Sequence, residues 1–230
     1  MAKPPFQPEL IVFDLDGTLV DSSPDLAVAV NRMLTTLKQA SYPEQQIKQW
    51  MGNGAEMLIK RALTGEQEPV NTPENLAEAM HTFFHFYQEN ICVHSQLYAG
   101  VKEGLEQLQA AHINLACVTN KPTQFTLPLL AEIGLKDYFQ FIASGDTFSA
   151  MKPDPLPLTE TAKIFTIAAH QSLMVGDSIN DIQAGQRAGF KTALVPYGYL
   201  GKHTPAELNA DYNISSINQL AELFCPRTLN

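Results

Sequence analysis

The amino-acid sequence predicts an α/β protein: a parallel sheet covered by helices on both faces, with an all-helical segment inserted after the first strand. Three observations predict it. An apolar run, Leu10-Ile11-Val12-Phe13, ends directly in Asp14 and Asp16, as a buried strand does when it delivers polar residues to a sheet's carboxyl edge. From Tyr98 onward, short apolar runs alternate with segments of helical period, the rhythm of a parallel sheet with crossover helices. Between the two, residues 21–90 carry helical patterning and no convincing strand. A chain of 230 residues that is 45% hydrophobic and 17% charged can bury one substantial core with a smaller accessory unit.

Along the first run, alternation sends Asp14 and Asp16 to one side and Leu15 to the other, and Gly17 then allows a sharp bend. Residues 24–40 place Leu26, Val30, Met33, Leu34 and Leu37 at helical spacing, with Pro24 near the start. Residues 43–50 repeat the pattern weakly. Gly52-Asn53-Gly54 is a break, after which a third helix over 55–63 stops near Gly65. Thr72 caps a fourth over 72–88, with Pro73 at its first position. Then follow a helix at 101–110, a strand at 115–118, a helix at 122–133 and a strand at 141–143. A helix at 156–165, a strand at 173–175, a helix at 180–188, strands at 192–195 and 212–214 and a last helix ending at Phe224 complete the chain. The expected division is a core of residues 1–20 and 92–230 and a helical domain of residues 21–91. There is no internal repeat.

The formal net charge of -9 and pI near 5.1 argue against a nucleic-acid or anionic-membrane surface, which needs clustered Lys and Arg. Cys92, Cys117 and Cys225 are odd in number and lie in no metal-like spacing, as reduced thiols of a cytoplasmic protein do. The N-terminus lacks the apolar segment of a signal peptide, and no run reaches membrane-spanning length. Nothing in the sequence speaks to oligomeric state.

Two carboxylates on one side repel, and they coexist if a cation lies between them or one keeps its proton. Three later strand ends supply partners. The run Leu115 to Val118 leads into Thr119-Asn120-Lys121-Pro122 and a helix start, where free N–H groups favour phosphate. Lys152 stands in Met151-Lys152-Pro153-Asp154-Pro155, a loop stiffened by proline. The run Leu173 to Val175 ends in Gly176-Asp177-Ser178-Ile179-Asn180-Asp181, two acids one helical turn apart. Singly, these read as a strand-to-helix turn, a surface lysine and an acid favoured at a helix start.

In this order, Asp14-x-Asp16-Gly17-Thr18, Thr119, Lys152 and Asp177-x-x-x-Asp181 resemble the four signature segments of the haloacid dehalogenase superfamily. The resemblance implies a Rossmann-like core with the Asp14 strand central, the strands ending at Thr119 and Ala143 to one side and that ending at Asp177 to the other. A crevice is expected where the chain reverses. It also implies a phosphatase with Asp14 as nucleophile, forming an aspartyl phosphate, and Asp16 as general acid and base. Mg2+ would be held by the Asp14 carboxylate, the Asp16 backbone carbonyl and Asp177, with Asp181 one layer out, orienting waters or the lysine. Thr119, Asn120 and Lys152 would bind the phosphoryl oxygens.

Asp16 keeps the acid that the dehalogenases of this superfamily lack, so the resemblance implies phosphate rather than carbon-halogen chemistry. The helical insertion resembles the cap of the phosphoglycolate phosphatase and β-phosphoglucomutase branch. Trp50-Met51-Gly52-Asn53-Gly54-Ala55, Arg61-Ala62-Leu63-Thr64 and Pro196-Tyr197-Gly198-Tyr199 resemble bacterial phosphoglycolate phosphatases in particular. That implies conversion of 2-phosphoglycolate to glycolate and phosphate. Gly52, Asn53 and Gly54 are expected to receive the substrate's carboxylate through backbone N–H groups and the Asn53 amide. The rival activities are those of another sugar-phosphate or nucleotide phosphatase or a mutase, and the rival from another class is a catalytically silent binding module. His81 and His85 lie one helical turn apart with no third zinc ligand in sight, and are expected as surface or core residues.

Overall fold

A computed structural model describes residues 6–225. The chain opens with β1 (Leu10–Phe13), β2 (Val20–Asp21), α1 (Ser23–Thr36), α2 (Glu44–Gln49), α3 (Gly54–Thr64) and α4 (Leu76–Glu89). It continues with β3 (Gln96–Leu97), α5 (Val101–Ala110), β4 (Asn114–Val118), α6 (Thr123–Glu132), β5 (Phe141–Ala143) and α7 (Leu156–Phe165). The last elements are β6 (Ser172–Gly176), α8 (Ile179–Ala188), β7 (Lys191–Leu194), α9 (Pro205–Leu208), β8 (Tyr212–Asn213) and α10 (Ile217–Phe224).

Six of the strands form a parallel sheet in the order β5-β4-β1-β6-β7-β8. β1 is central, with Phe13 in register with Cys117 of β4 on one side and Val175 of β6 on the other. Alternation divides the strands between two apolar layers. Ile11, Phe13, Leu115, Cys117, Leu173 and Val175 face Val101, Leu105 and Leu108 of α5 and Ile217, Leu220 and Phe224 of α10. Leu10, Val12, Ala116, Val118 and Met174 face Leu158 and Ala162 of α7 and Ala184 and Ala188 of α8. Both faces are thus covered, which is why these strands read as continuous apolar runs.

Helices α1 to α4 hold a separate apolar cluster built on Met33, Leu34, Ile47, Trp50, Ile59, Phe83 and Tyr87. Phe125 of α6 and Tyr199 join this cluster from the sheet side. Where the helical segment leaves and rejoins the sheet, β2 and β3 pair antiparallel, Val20 opposite Leu97 and Asp21 opposite Gln96. Strands of two residues carry no alternation to detect, so this ribbon is absent from the sequence-based reading. The fourth helix starts at Leu76, after a turn in which Leu76 N–H donates to Pro73 O (3.1 Å), with Asn75 at the N-cap position. Thr72 and Pro73 therefore belong to the turn, a place that suits proline as well as a first helical position does.

Candidate active site

The site is built where β1, β4 and β6 end at the carboxyl edge. β1 continues into Asp14, whose N–H donates to Val175 O (2.9 Å), and Leu15 turns into the core fully buried. Gly17 has φ +87°, and a Cβ there would overlap the Asp177 carboxylate, so the turn accepts only glycine. This turn holds Asp16 beside Ser22, whose Oγ donates to Asp16 Oδ1 (2.6 Å).

Asp177 follows β6 and is buried; it accepts from Thr18 Oγ1 at Oδ1 (2.9 Å) and from Tyr199 N–H at Oδ2 (2.5 Å). Asp181 closes a capping box at the start of α8, its Oδ2 accepting from Ser178 N–H (3.0 Å) and Ser178 Oγ (2.6 Å). Asp181 thus caps the helix through one oxygen while its other oxygen faces Lys152. The buried Lys152 Nζ donates to Val118 O (2.6 Å) and lies 2.8 Å from Asp14 Oδ1 and 2.7 Å from Asp181 Oδ1. Those two ion pairs are close in distance but poorly aligned, leaving Asp14 Oδ1 and Asp181 Oδ1 buried without a directed hydrogen bond.

Thr119 is buried after β4, its N–H donating to Ala143 O (3.0 Å) and its Oγ1 accepting from Lys121 N–H (3.2 Å). Asn120 Nδ2 donates to Lys152 O (2.8 Å), so the expected phosphate-binding amide also fixes the lysine loop. Lys121, which the sequence offers only as part of the turn after the strand, brings its buried Nζ to Asp16 Oδ2 (2.9 Å) and Tyr87 Oη (2.7 Å). Tyr87 was hidden in the apolar stripe of α4, where an aromatic residue reads as core.

Burial lifts the Asp14 carboxyl to about 6, against the opposing pull of Lys152 and with a further push from Asp181. Burial, with Asp181 and Asp14 nearby, raises Asp177 well above the ordinary carboxylate range. Burial disfavours the Lys152 ammonium, but Asp14 and Asp181 outweigh it and keep the group charged. Asp14, Asp16, Asp177 and Asp181 against Lys121 and Lys152 leave two negative charges in excess when all are ionised. A divalent cation fits this set. Oxygens of Asp14, Asp177 and Asp181 lie within 4.8 Å of one another, two buried carboxylate oxygens lack a directed donor, and the ligands are hard. Asp14 Oδ1 and Asp181 Oδ1 share Lys152 without a directed hydrogen bond, whereas the two Asp177 oxygens accept from Thr18 and Tyr199 and have no lysine beside them.

A small cavity of about 100 Å³ opens between this edge and the helices, lined by Asp14, Asp16, Thr119, Asn120, Lys121 and Lys152 below. Its roof is apolar, with Leu58, Phe83, Phe84 and Phe125. Gly52 and Gly54 reach it, and Asn180 Nδ2 donates to Gly52 O (2.8 Å), tying this loop to the sheet side. Asn53 does not reach it; its exposed side chain lines a neighbouring cleft with Arg61 and Ser178. His81 and His85 are exposed, His85 Nε2 lying 3.4 Å from Glu89.

The sequence matches the family described as haloacid dehalogenase-like hydrolase over residues 11–195. It is 42% identical over 219 residues to a phosphoglycolate phosphatase of Nitrosospira multiformis, covering 95% of this chain and 96% of that protein. It is 45% identical over 193 residues to a phosphoglycolate phosphatase of Nitrosococcus oceani, covering 84% of this chain and 86% of that one. Its structure is similar to the crystal structure of a predicted phosphoglycolate phosphatase from Haemophilus somnus, with TM-score 0.88 and 35% identity over 96% of this chain and 99% of that one.

Proposed function

This chain belongs to the haloacid dehalogenase-like hydrolase family and is a phosphatase, and from that premise we propose that it hydrolyses 2-phosphoglycolate to glycolate and phosphate in the presence of Mg2+. The observation that carries the chemistry is the pairing of Asp14 and Asp181 with one buried lysine at the cavity edge, with an Asp177 oxygen within 4.8 Å of theirs. The substrate rests on the phosphoglycolate phosphatase relatives and on the small size of the cavity.

The Asp14 carboxylate attacks phosphorus, and the bond from phosphorus to the ester oxygen breaks as Asp16 gives that oxygen its proton. Asp16, now ionised, takes a proton from water that attacks the aspartyl phosphate, releasing phosphate and restoring Asp14. Ser22 and Lys121 hold Asp16 in place for both transfers. Thr119, Asn120 and the N–H groups beginning α6 surround the phosphoryl oxygens, and Lys152 holds Asp14 in its attacking position. The Asp14 carboxylate, the Asp16 backbone carbonyl and Asp177 would hold the cation, which neutralises phosphoryl and carboxylate charge when bound. Asp181 keeps Lys152 in place.

Residues 21–91 act in this reading as a cap domain over a core of residues 1–20 and 92–230, of which residues 1–5 and 226–230 lie outside those described. Its roof of Phe83, Phe84 and Leu58 excludes water during transfer. Three free thiols suit a cytoplasmic location, and no helix among the described residues is long and apolar enough to cross a membrane.

The test is a substrate panel with Mg2+: 2-phosphoglycolate, hexose phosphates, nucleoside monophosphates and a generic aryl phosphate. We expect 2-phosphoglycolate to lead in kcat/KM by about tenfold or more, the scale of one well-placed charged contact. A hexose phosphate or nucleotide turned over more efficiently would overturn the substrate.

A further inference from the structure

We propose that Lys121 and Tyr87 together receive the carboxylate of the substrate, making them the residues that set specificity; this rests on the 2-phosphoglycolate reading above. Lys121 Nζ and Tyr87 Oη are 2.7 Å apart, both side chains are buried, and both line the cavity that Asp14 and Asp16 open into. Tyr87 accepts from the ammonium, and among the described residues nothing accepts the hydroxyl's own proton. Burial pushes this phenol up to about 12, so it keeps that proton as a donor at neutral pH. A buried hydroxyl donor without an acceptor, next to an ammonium, is a receiver for an anion.

Position selects which anion. Asp16 must come within about 3 Å of the ester oxygen to protonate it, and Lys121 Nζ lies 2.9 Å from Asp16 Oδ2. In 2-phosphoglycolate one methylene separates the ester oxygen from the carboxyl carbon, so the carboxylate lies on the order of 3 Å from that oxygen and inside the reach of both groups. The other cavity cation, Lys152, already meets two carboxylates, of Asp14 and Asp181, and Val118 O, whereas Lys121 meets one carboxylate, of Asp16, and the Tyr87 hydroxyl. The roof residues Leu58, Phe83, Phe84 and Phe125 offer a carboxylate no partner of their own. Tyr87 comes from α4 and Lys121 from the loop after β4, so the receiver is complete only with the helical roof seated on the sheet edge.

The experiment compares kcat/KM for 2-phosphoglycolate with that for ethyl phosphate, which has the same two carbons and no carboxylate. The ratio of the two is followed in wild type, Tyr87→Phe and Lys121→Met. We expect the ratio to fall about tenfold in Tyr87→Phe, which removes one oxygen and keeps the ring, and about a hundredfold in Lys121→Met. A ratio unchanged in Tyr87→Phe, with both substrates slowed alike, would show that the pair only positions Asp16 and would overturn the inference while leaving the substrate intact. If Lys121→Met does not fold, the Tyr87→Phe ratio decides alone. A wild type that does not prefer 2-phosphoglycolate over ethyl phosphate would overturn both the inference and the substrate reading.

Discussion

Asp14 and Asp16 stand two residues apart on one strand end and meet different lysines, Lys152 and Lys121. That separation suits different tasks. In the proposed mechanism Asp14, buried beside a fixed ammonium, attacks, and Asp16 has a hydroxyl and an ammonium to steady it through two proton transfers. Asp14→Asn keeps shape and removes the nucleophile, so steady-state turnover should fall below about a thousandth of wild type with the circular dichroism spectrum unchanged. Appreciable turnover in the folded variant would sink the assignment. Lys152→Ala leaves Asp14, Asp177 and Asp181 facing one another, which should cost about 3–5 kcal/mol in urea unfolding without metal and abolish most activity. Lys152→Arg should restore charge without full activity, because a planar fork cannot meet the same three oxygens. The carboxylates were legible because they follow buried runs, and Lys152 because it stands directly before proline in a stiffened loop. Tyr87 was not, since its ring belongs to the same stripe as Phe83, and a sequence does not show where one phenol oxygen points. Nor does it show that Asn53 turns outward between two glycines with φ of +102° and +83°.

At the scale of elements, the junction between helices and sheet holds polar structure that the sequence hides. Asp25 of α1 is wholly buried and accepts from His94 N–H (2.9 Å), Ser95 N–H (2.8 Å) and Ser95 Oγ (2.6 Å) on the returning segment. Tyr199 does the matching work at the outgoing segment, its Oη accepting from Ser22 and Ser23 N–H (3.0 Å each) and donating to Asp21 (2.9 Å). Its own N–H reaches Asp177, so one residue links the helix start to the candidate metal site. Asp25→Ala would remove the buried acceptor of two N–H groups and one hydroxyl, at an expected cost of about 1–3 kcal/mol in urea unfolding. A loss under about 0.5 kcal/mol would mean that water replaces the carboxylate and that the junction is looser than drawn. Helix existence and strand order were legible from period and apolar runs. This junction was not, because its two-residue strands and single buried acid follow no period, and the turn at Pro73 shows that a helix start depends on the apolar face as much as on the cap residue.

Across the whole molecule, the sheet concentrates four carboxylates at one edge and closes a helical roof over them, storing charge repulsion at the place where function needs it. This gives the stability of the protein a pH dependence of two signs. Asp21, despite burial, is held below the ordinary carboxylate range by Lys48, Ser23 and Tyr199, and Asp211, despite burial, by Lys191 and Thr192. Such groups contribute stability above their unfolded values that is lost as pH falls through their folded ones. Asp14, raised from 3.8 to about 6, and Asp177 behave oppositely: the metal-free native state binds more protons than the unfolded chain, so stability declines as pH rises from about 4 through 6. A divalent cation must displace those protons, so its stabilisation isolates these two acids from the rest. At a concentration one hundred times Kd at pH 7.5, Mg2+ should add roughly 2.7 kcal/mol, or about 5–10 °C in Tm for a chain of this size. One unit below 6, competition by the Asp14 proton alone weakens binding about tenfold and halves that gain. Thermal unfolding at pH 7.5 and pH 5, each with fixed Mg2+ and with chelator, measures the difference. A gain that is equal at the two pH values, or larger at pH 5, would mean that the cation is held elsewhere than at Asp14 and Asp177.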